Sequence, residues 1–184
     1  MKILIILVIL ILSINYTVTV KAIGIKDYRF VDRIKIGMKI SLAIDLAKKK
    51  HFVEKTEIPG YEGDVKQYEY IVYKNKSKRV ALYSFNAGYD NETKDKVFRI
   101  AIKNPKYITV DGIIVGMTVK DLKARTHLKS ADFNYENGFF ISSDKFDGGY
   151  LMNITLLVDT NYNYEQPKIL TLPSKMVIKE IVIF

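Results

Sequence analysis

Two stretches of this chain, YRFVDRIKIGM at residues 28–38 and YITVDGIIVGM at residues 107–117, are one segment written twice. Set side by side without a gap, they match at Tyr28/Tyr107, Val31/Val110, Asp32/Asp111, Ile34/Ile113, Gly37/Gly116 and Met38/Met117. Ile36/Val115 and Ile40/Val119 add conservative pairs. A repeat of this length, dividing the chain into halves of 28–106 and 107–184, predicts a duplicated structural unit in which neither half buries its apolar face alone. No other feature narrows the choice of fold as much.

Within each half the apolar spacing turns helix-like just after Gly-Met, with Ile40, Ala43, Ile44 and Ala47 in the first and Val119 and Leu122 in the second. Thr118 and Asp121 form a capping-box pattern in the second half, while Lys39 occupies the equivalent place in the first. Strand-like runs follow: VKQYEYIVYK, RVALYSFN and VFRIAIK, then GFFISS, YLMNITLLV and MVIKEIVIF. YKNKSKR and SSDKFDGGY read as hairpin connections, and DNETKD as a polar loop. RIAI at 99–102 echoes EIVI at 180–183, so a strand is expected to run to the end of the chain. Alternation in LMNITLLV sends Met152, Ile154, Leu156 and Val158 to one face and Leu151, Asn153, Thr155 and Leu157 to the other. The expectation is an α+β fold, two tandem helix-plus-antiparallel-sheet repeats joined into one continuous sheet with the helices on one face.

Residues 1–22 stand apart. Lys2, the apolar run Ile3–Ile14 and the stretch ending VKA make a secretory signal peptide, with cleavage after Ala22 and an uncleaved anchor as the alternative. The apolar run is shorter than the roughly 20 residues a spanning helix needs. Residues 23–184 then form a single domain, long enough to bury a substantial core. Its net charge falls from +9 to +7 once Lys2 and Lys21 are removed. With no cysteine, the chain has no disulfide, thiolate metal site, cysteine nucleophile or lipid-bearing N-terminal cysteine. An exported chain without an arginine-rich face or a nucleic-acid motif is not expected to bind nucleic acid.

A tandem of two such helix-loop-sheet units behind a signal peptide resembles the β-lactamase-inhibitor protein family. The Gly-Met-Thr helix start at Gly116–Met117–Thr118 also looks like the small SmpA/OmlA outer-membrane assembly proteins. The resemblance implies a protein that binds another protein through its sheet and loops. Inhibitor-family members are cysteine-bridged and the assembly proteins lipid-anchored, which a cysteine-free chain cannot match, so no functional residue is carried over.

Candidate chemistry is sparse. His51 and His127, the only histidines, fall near predicted helix ends, where the helix dipole favours a histidine. Asp32 and Asp111 precede the Gly-Met turns and are read as Asx turn residues, with an acid/base pair as the rival reading. No serine elbow, phosphate loop or calcium loop is present, and no cofactor or metal is expected. Tyrosine is dense, at 13 residues with no tryptophan. Tyr68 and Tyr70 share a strand face and Tyr83 and Phe85 lie on the next strand; Asn153, Thr155, Tyr162 and Tyr164 belong to the second half. Tyrosine suits protein-binding surfaces and also ordinary sheet packing, so both readings stand. These eight residues are the expected binding set of a non-enzymatic exported module whose partner is another exported or envelope protein. A hydrolase using Asp32, Asp111 or a histidine is the first alternative. The second is attachment to an anionic membrane or glycan through AKKKH (47–51) and KNKSKR (74–79).

Overall fold

A computed structural model describes residues 23–25, 28–58, 66–88, 90–134, 138–153 and 168–184. The first half contributes β1 (Ile23–Ile25), β2 (Phe30–Val31), β3 (Ile34–Lys35), α1 (Ile40–Lys48), β4 (Phe52–Ile58), β5 (Gln67–Tyr73), β6 (Ala81–Ala87) and β7 (Val97–Ile102). The second contributes β8 (Tyr107–Thr109), α2 (Val119–Arg125), β9 (Leu128–Asn134), β10 (Gly138–Ser143), β11 (Gly148–Met152), a 3-10 turn (Ile169–Thr171) and β12 (Ile178–Ile183). The fold is α+β, dominated by one eight-stranded antiparallel sheet of order β4-β5-β6-β7-β12-β11-β10-β9. The last strand of each half lies at the sheet's centre, β7 against β12, in the register Ile100↔Ile183, Ala101↔Val182 and Ile102↔Ile181. The echoing RIAI and EIVI segments are therefore direct partners. Strands β4 and β9, absent from the sequence reading, form the two edges.

The period-two alternation sorts the sheet's faces. Val72, Tyr83, Phe85, Ile100, Ile102, Phe139, Ile141, Tyr150, Met152, Ile181 and Ile183 share the main core with Ala43 and Ala47 of α1 and with Val119 and Leu122 of α2. A fully buried Ile or Phe contributes roughly 1.5–3 kcal/mol, so this face carries the stability of a fold without disulfides. Ala101, Leu151 and Val182, with Phe140 against them, form a smaller cluster on the outer face. Lys39 gives α1 no side-chain cap, whereas Thr118 accepts a hydrogen bond from the Asp121 amide at the start of α2.

The Gly-Met turns have matching geometry. Gly37 has φ +78° and Gly116 φ +89°, a region other residues resist. The Gly37 amide donates to Val97 O and the Gly116 amide to Ile178 O, both at 2.8 Å; Val97 N–H and Ile178 N–H return bonds to the carbonyls of Met38 and Met117. Both methionines pack against the main core. Each turn is thus tied to the innermost strand of its own half. In both of those strands a residue is bulged out, Phe98 in β7 and Lys179 in β12.

Candidate functional site

Among the described residues, two places that gather polar side chains stand out beside a cavity. The first begins at the β2–β3 hairpin, where Val31 pairs with Ile34 and leaves Asp32 and Arg33 as a two-residue loop. Such a loop favours left-handed backbone at both positions, which is normally the province of Asn-Gly. Here Asp32 (φ 48°) and Arg33 (φ 73°) adopt it without glycine, at a conformational cost. Asp32 Oδ2 accepts a 2.6 Å hydrogen bond from the Tyr107 hydroxyl and lies 3.4 Å from His51 Nε2. Tyr83 packs edge-on against Tyr107, ring centroids 5.9 Å apart. Burial raises both phenols well above their ordinary value, and the Asp32 charge adds to the effect. Asp32, Arg33, Lys49, Lys50, His51 and Tyr83 line a cavity of about 110 Å³ at the C-terminal end of α1. Among the described residues, neither His51 Nδ1 nor the Tyr83 hydroxyl has a hydrogen-bond partner, although both are buried.

Both aspartates accept a hydrogen bond from a tyrosine far away in the chain. Asp111 accepts a 2.6 Å hydrogen bond from the Tyr28 hydroxyl, the counterpart of the Tyr107–Asp32 bond with the halves exchanged. Each carboxylate secures the tyrosine of the opposite half, and β1 and β8, which lead into the two segments, run side by side in parallel. Tyr28 also stacks on Phe146 at 4.2 Å, and burial followed by the Asp111 bond pushes its phenol up to about 12. The histidines part company. His51 is mostly buried against Asp32, while His127 is largely exposed and sits 3.0 Å from Asp144. His51 and Asp32 share a cavity, whereas His127 pairs with Asp144 and Asp111 with Tyr28. No metal-binding group of three His, Asp or Glu residues occurs among the described residues.

The second place is the centre of the outer sheet face. Lys103 Nζ donates to Glu69 Oε1 at 2.8 Å and lies 3.8 Å from Glu180 Oε1, and Arg99 Nη2 donates to Glu180 Oε2 at 3.3 Å. Burial alone would raise the Glu69 carboxyl; the hydrogen bond from Lys103 and the positive charges of Lys103 and Arg99 bring it below the usual range. Beside this chain of charges, Phe140, Leu151, Val182 and Phe184 line a concavity of about 330 Å³ together with Arg99 and Asp132. Phe184 makes ring contacts with both Phe140 and Phe98.

The sequence-derived binding set does not gather here. Tyr83 and Phe85 are 0% exposed and belong to the core, correcting the expectation that they face a partner. Tyr70 stacks on Phe85 and packs against the same core, so by alternation Tyr68 shares the helix-side face, where Lys55 Nζ lies 3.5 Å from its ring centroid. Asn153 is exposed at the end of β11, its amide bonded to Val177 O. Thr155, Tyr162 and Tyr164 lie outside the described residues. The charged outer-face residues were missed, though VFRIAIK carries the signal: Arg99, Ala101 and Lys103 alternate with buried Ile100 and Ile102. The basic stretch 74–79 is exposed, and its Lys78 pairs with Glu54.

Fold and sites together define an α+β protein built on a single dominant antiparallel sheet. No protein family matches its sequence, and neither does any curated protein. Among solved structures it is similar to the uncharacterized protein YfeY from Escherichia coli, with a TM-score of 0.57 at 10% identity over 88% of this chain and 97% of that one. At that identity the likeness concerns the fold alone.

Proposed function

We propose that this chain is a non-catalytic, exported protein-binding module that docks its partner on the outer face of the eight-stranded sheet. The observation that carries the reading is the outer concavity, where an apolar floor of Leu151 and Val182 lies between Phe140 and Phe184 beside the Glu69–Lys103–Glu180–Arg99 chain. A pocket for one large apolar side chain, flanked by charges already paired at home, has the character of a protein interface with an anchor residue and a polar surround. Export rests on the sequence of residues 2–22, which lie outside the described residues. Wild-type chain, Phe140→Asp and Tyr68→Ala, each immobilised, are compared for what they retain from envelope or culture fluid. The reading expects a protein held by wild type and Tyr68→Ala and released by Phe140→Asp, with unchanged circular dichroism. Equal retention by all three removes it.

The same proposal takes the architecture to be two tandem units, 28–106 and 107–184, related by an approximate two-fold axis through the β7–β12 pair. Three features support it: the exchanged bonds Tyr28–Asp111 and Tyr107–Asp32, the self-complementary β7–β12 register, and the matching ties of Gly37 and Gly116. Reciprocal contacts of this kind are the mark of a two-fold interface.

A second reading, a hydrolase, draws on Asp32 and His51 sharing a cavity. Against it, Asp32 Oδ2 is already held by Tyr107, and no hydroxyl nucleophile of the Ser or Thr type lines the cavity. Hydrolysis of a broad panel of esters, peptides and glycosides that disappears in His51→Gln would favour it; equal rates in both proteins would exclude it.

A further inference from the structure

The Asp32–His51 cavity lies on the helix side of the sheet, and what it offers is independent of any partner on the outer face. Its permanent charges are unbalanced: Arg33, Lys49 and Lys50 face a single carboxylate, Asp32, whose Oδ2 already accepts the Tyr107 hydroxyl. The C-terminal end of α1 adds only about half a negative charge. His51 and Tyr83 each bring a buried polar atom without a partner among the described residues, the ring Nδ1 and the phenol oxygen. With Nε2 turned to Asp32, the protonated ring offers Nδ1–H as a second donor. At about 110 Å³ the space exceeds the roughly 10–15 Å³ that one water requires, and it admits a small polyatomic ion.

The turns at the corresponding positions of the two halves differ. The second carries Asp111–Gly112, with the glycine at φ +74°. The first carries Asp32–Arg33, and Arg33 takes the same sign of φ while being one of the residues that line the cavity. A long cation thus stands where the backbone favours glycine, and a strained residue in a cavity wall points to a ligand that uses it.

We propose that this cavity binds a phosphate-class oxyanion, gripped by Arg33, Lys49, Lys50 and the His51 imidazolium, with the Tyr83 hydroxyl as a further donor. The ligand is either free phosphate or the phosphomonoester head of a lipid. Calorimetry on the full chain with inorganic phosphate, and separately with vesicles of phosphatidylcholine with and without phosphatidic acid, distinguishes the sources. Saturable one-site binding of phosphate assigns a soluble ligand; retention only on phosphatidic acid vesicles assigns the lipid. Arg33→Gly lowers affinity about ten-fold or more, the effect of losing one charge-assisted contact. Its melting temperature is not reduced, because glycine suits the turn. Lys76→Gln, in the exposed stretch 74–79, changes neither. His51→Gln, which removes the unpartnered ring Nδ1 from the cavity wall, weakens phosphate binding as well. Absence of saturable binding to phosphate and both vesicle types overturns the proposal. So do equal affinities for wild type and Arg33→Gly, or an equal loss in Lys76→Gln, which marks diffuse attraction.

Discussion

Replacing Tyr107 by Phe removes one oxygen atom and tests whether the exchanged tyrosine–aspartate bonds hold the halves together. Tyr107 is 1% exposed, and its hydroxyl donates to Asp32 Oδ2 at 2.6 Å. The aromatic packing against Tyr83 survives in the variant. What disappears is a hydrogen bond to a charged acceptor, worth about 1.5–3 kcal/mol. The Asp32 side chain is 25% exposed and keeps His51 at 3.4 Å, so water and the imidazole compensate in part and the expected loss is about 2 kcal/mol. For a domain of this size that lowers the melting temperature by about 4–8 °C. Urea unfolding of wild type, Tyr107→Phe, Asp32→Ala and the double variant forms a cycle that isolates the pair from other effects of each change. A coupling energy of 1 kcal/mol or more is expected, as an order of magnitude. If Tyr107→Phe costs under about 0.5 kcal/mol, or costs as much in the Asp32→Ala background as in wild type, the bond is not a strut of the fold.

The sister change, Tyr28→Phe, destabilises by a similar amount through Asp111, measured the same way. Gly116→Val costs at least about 1 kcal/mol, because φ +89° is hostile to a β-branched residue. No atom lies within 4 Å of an added Cβ, so the cost is conformational, and exposed Lys120→Ala leaves the thermal melt nearly unchanged. Alkaline titration followed by tyrosine absorbance gives a late-ionising population. The Tyr28 phenol sits near 12 when folded and near 10 when unfolded, so its contribution is intact below pH 10 and is lost as pH rises to 12. Stability that stays flat across that window contradicts the burial of its hydroxyl against Asp111.

The α+β class was legible because the Gly-Met turn signals and the period-two alternation act locally. The Gly-Met turns, both helices, the Thr118 cap and strands β5, β6, β7, β10 and β12 follow from residues adjacent in the chain. β4 and β9 were missed for a physical reason. As edge strands they carry charged and polar residues, FVEKTEI and LKSADFN, in place of a continuous apolar signal. The sites were harder to read. Asp32 was read from its turn alone because its partner, Tyr107, lies 75 positions away. Tyrosine content pointed to a surface, but the phenols of Tyr83 and Tyr107 are buried over the sheet while the outer face is marked by Arg99, Lys103 and Glu180. Identity along a strand reports which face a residue takes; which face meets a partner depends on what the helices cover.

Site-specific photo-crosslinking in the native host tests the central claim most directly. A photoreactive residue replaces Phe140 on the outer face, and in a second protein it replaces Leu42, exposed on α1. The account predicts one discrete cross-linked species from position 140 and none from position 42. No adduct from position 140, or the same adducts from both positions, would contradict a partner docked on the outer sheet face.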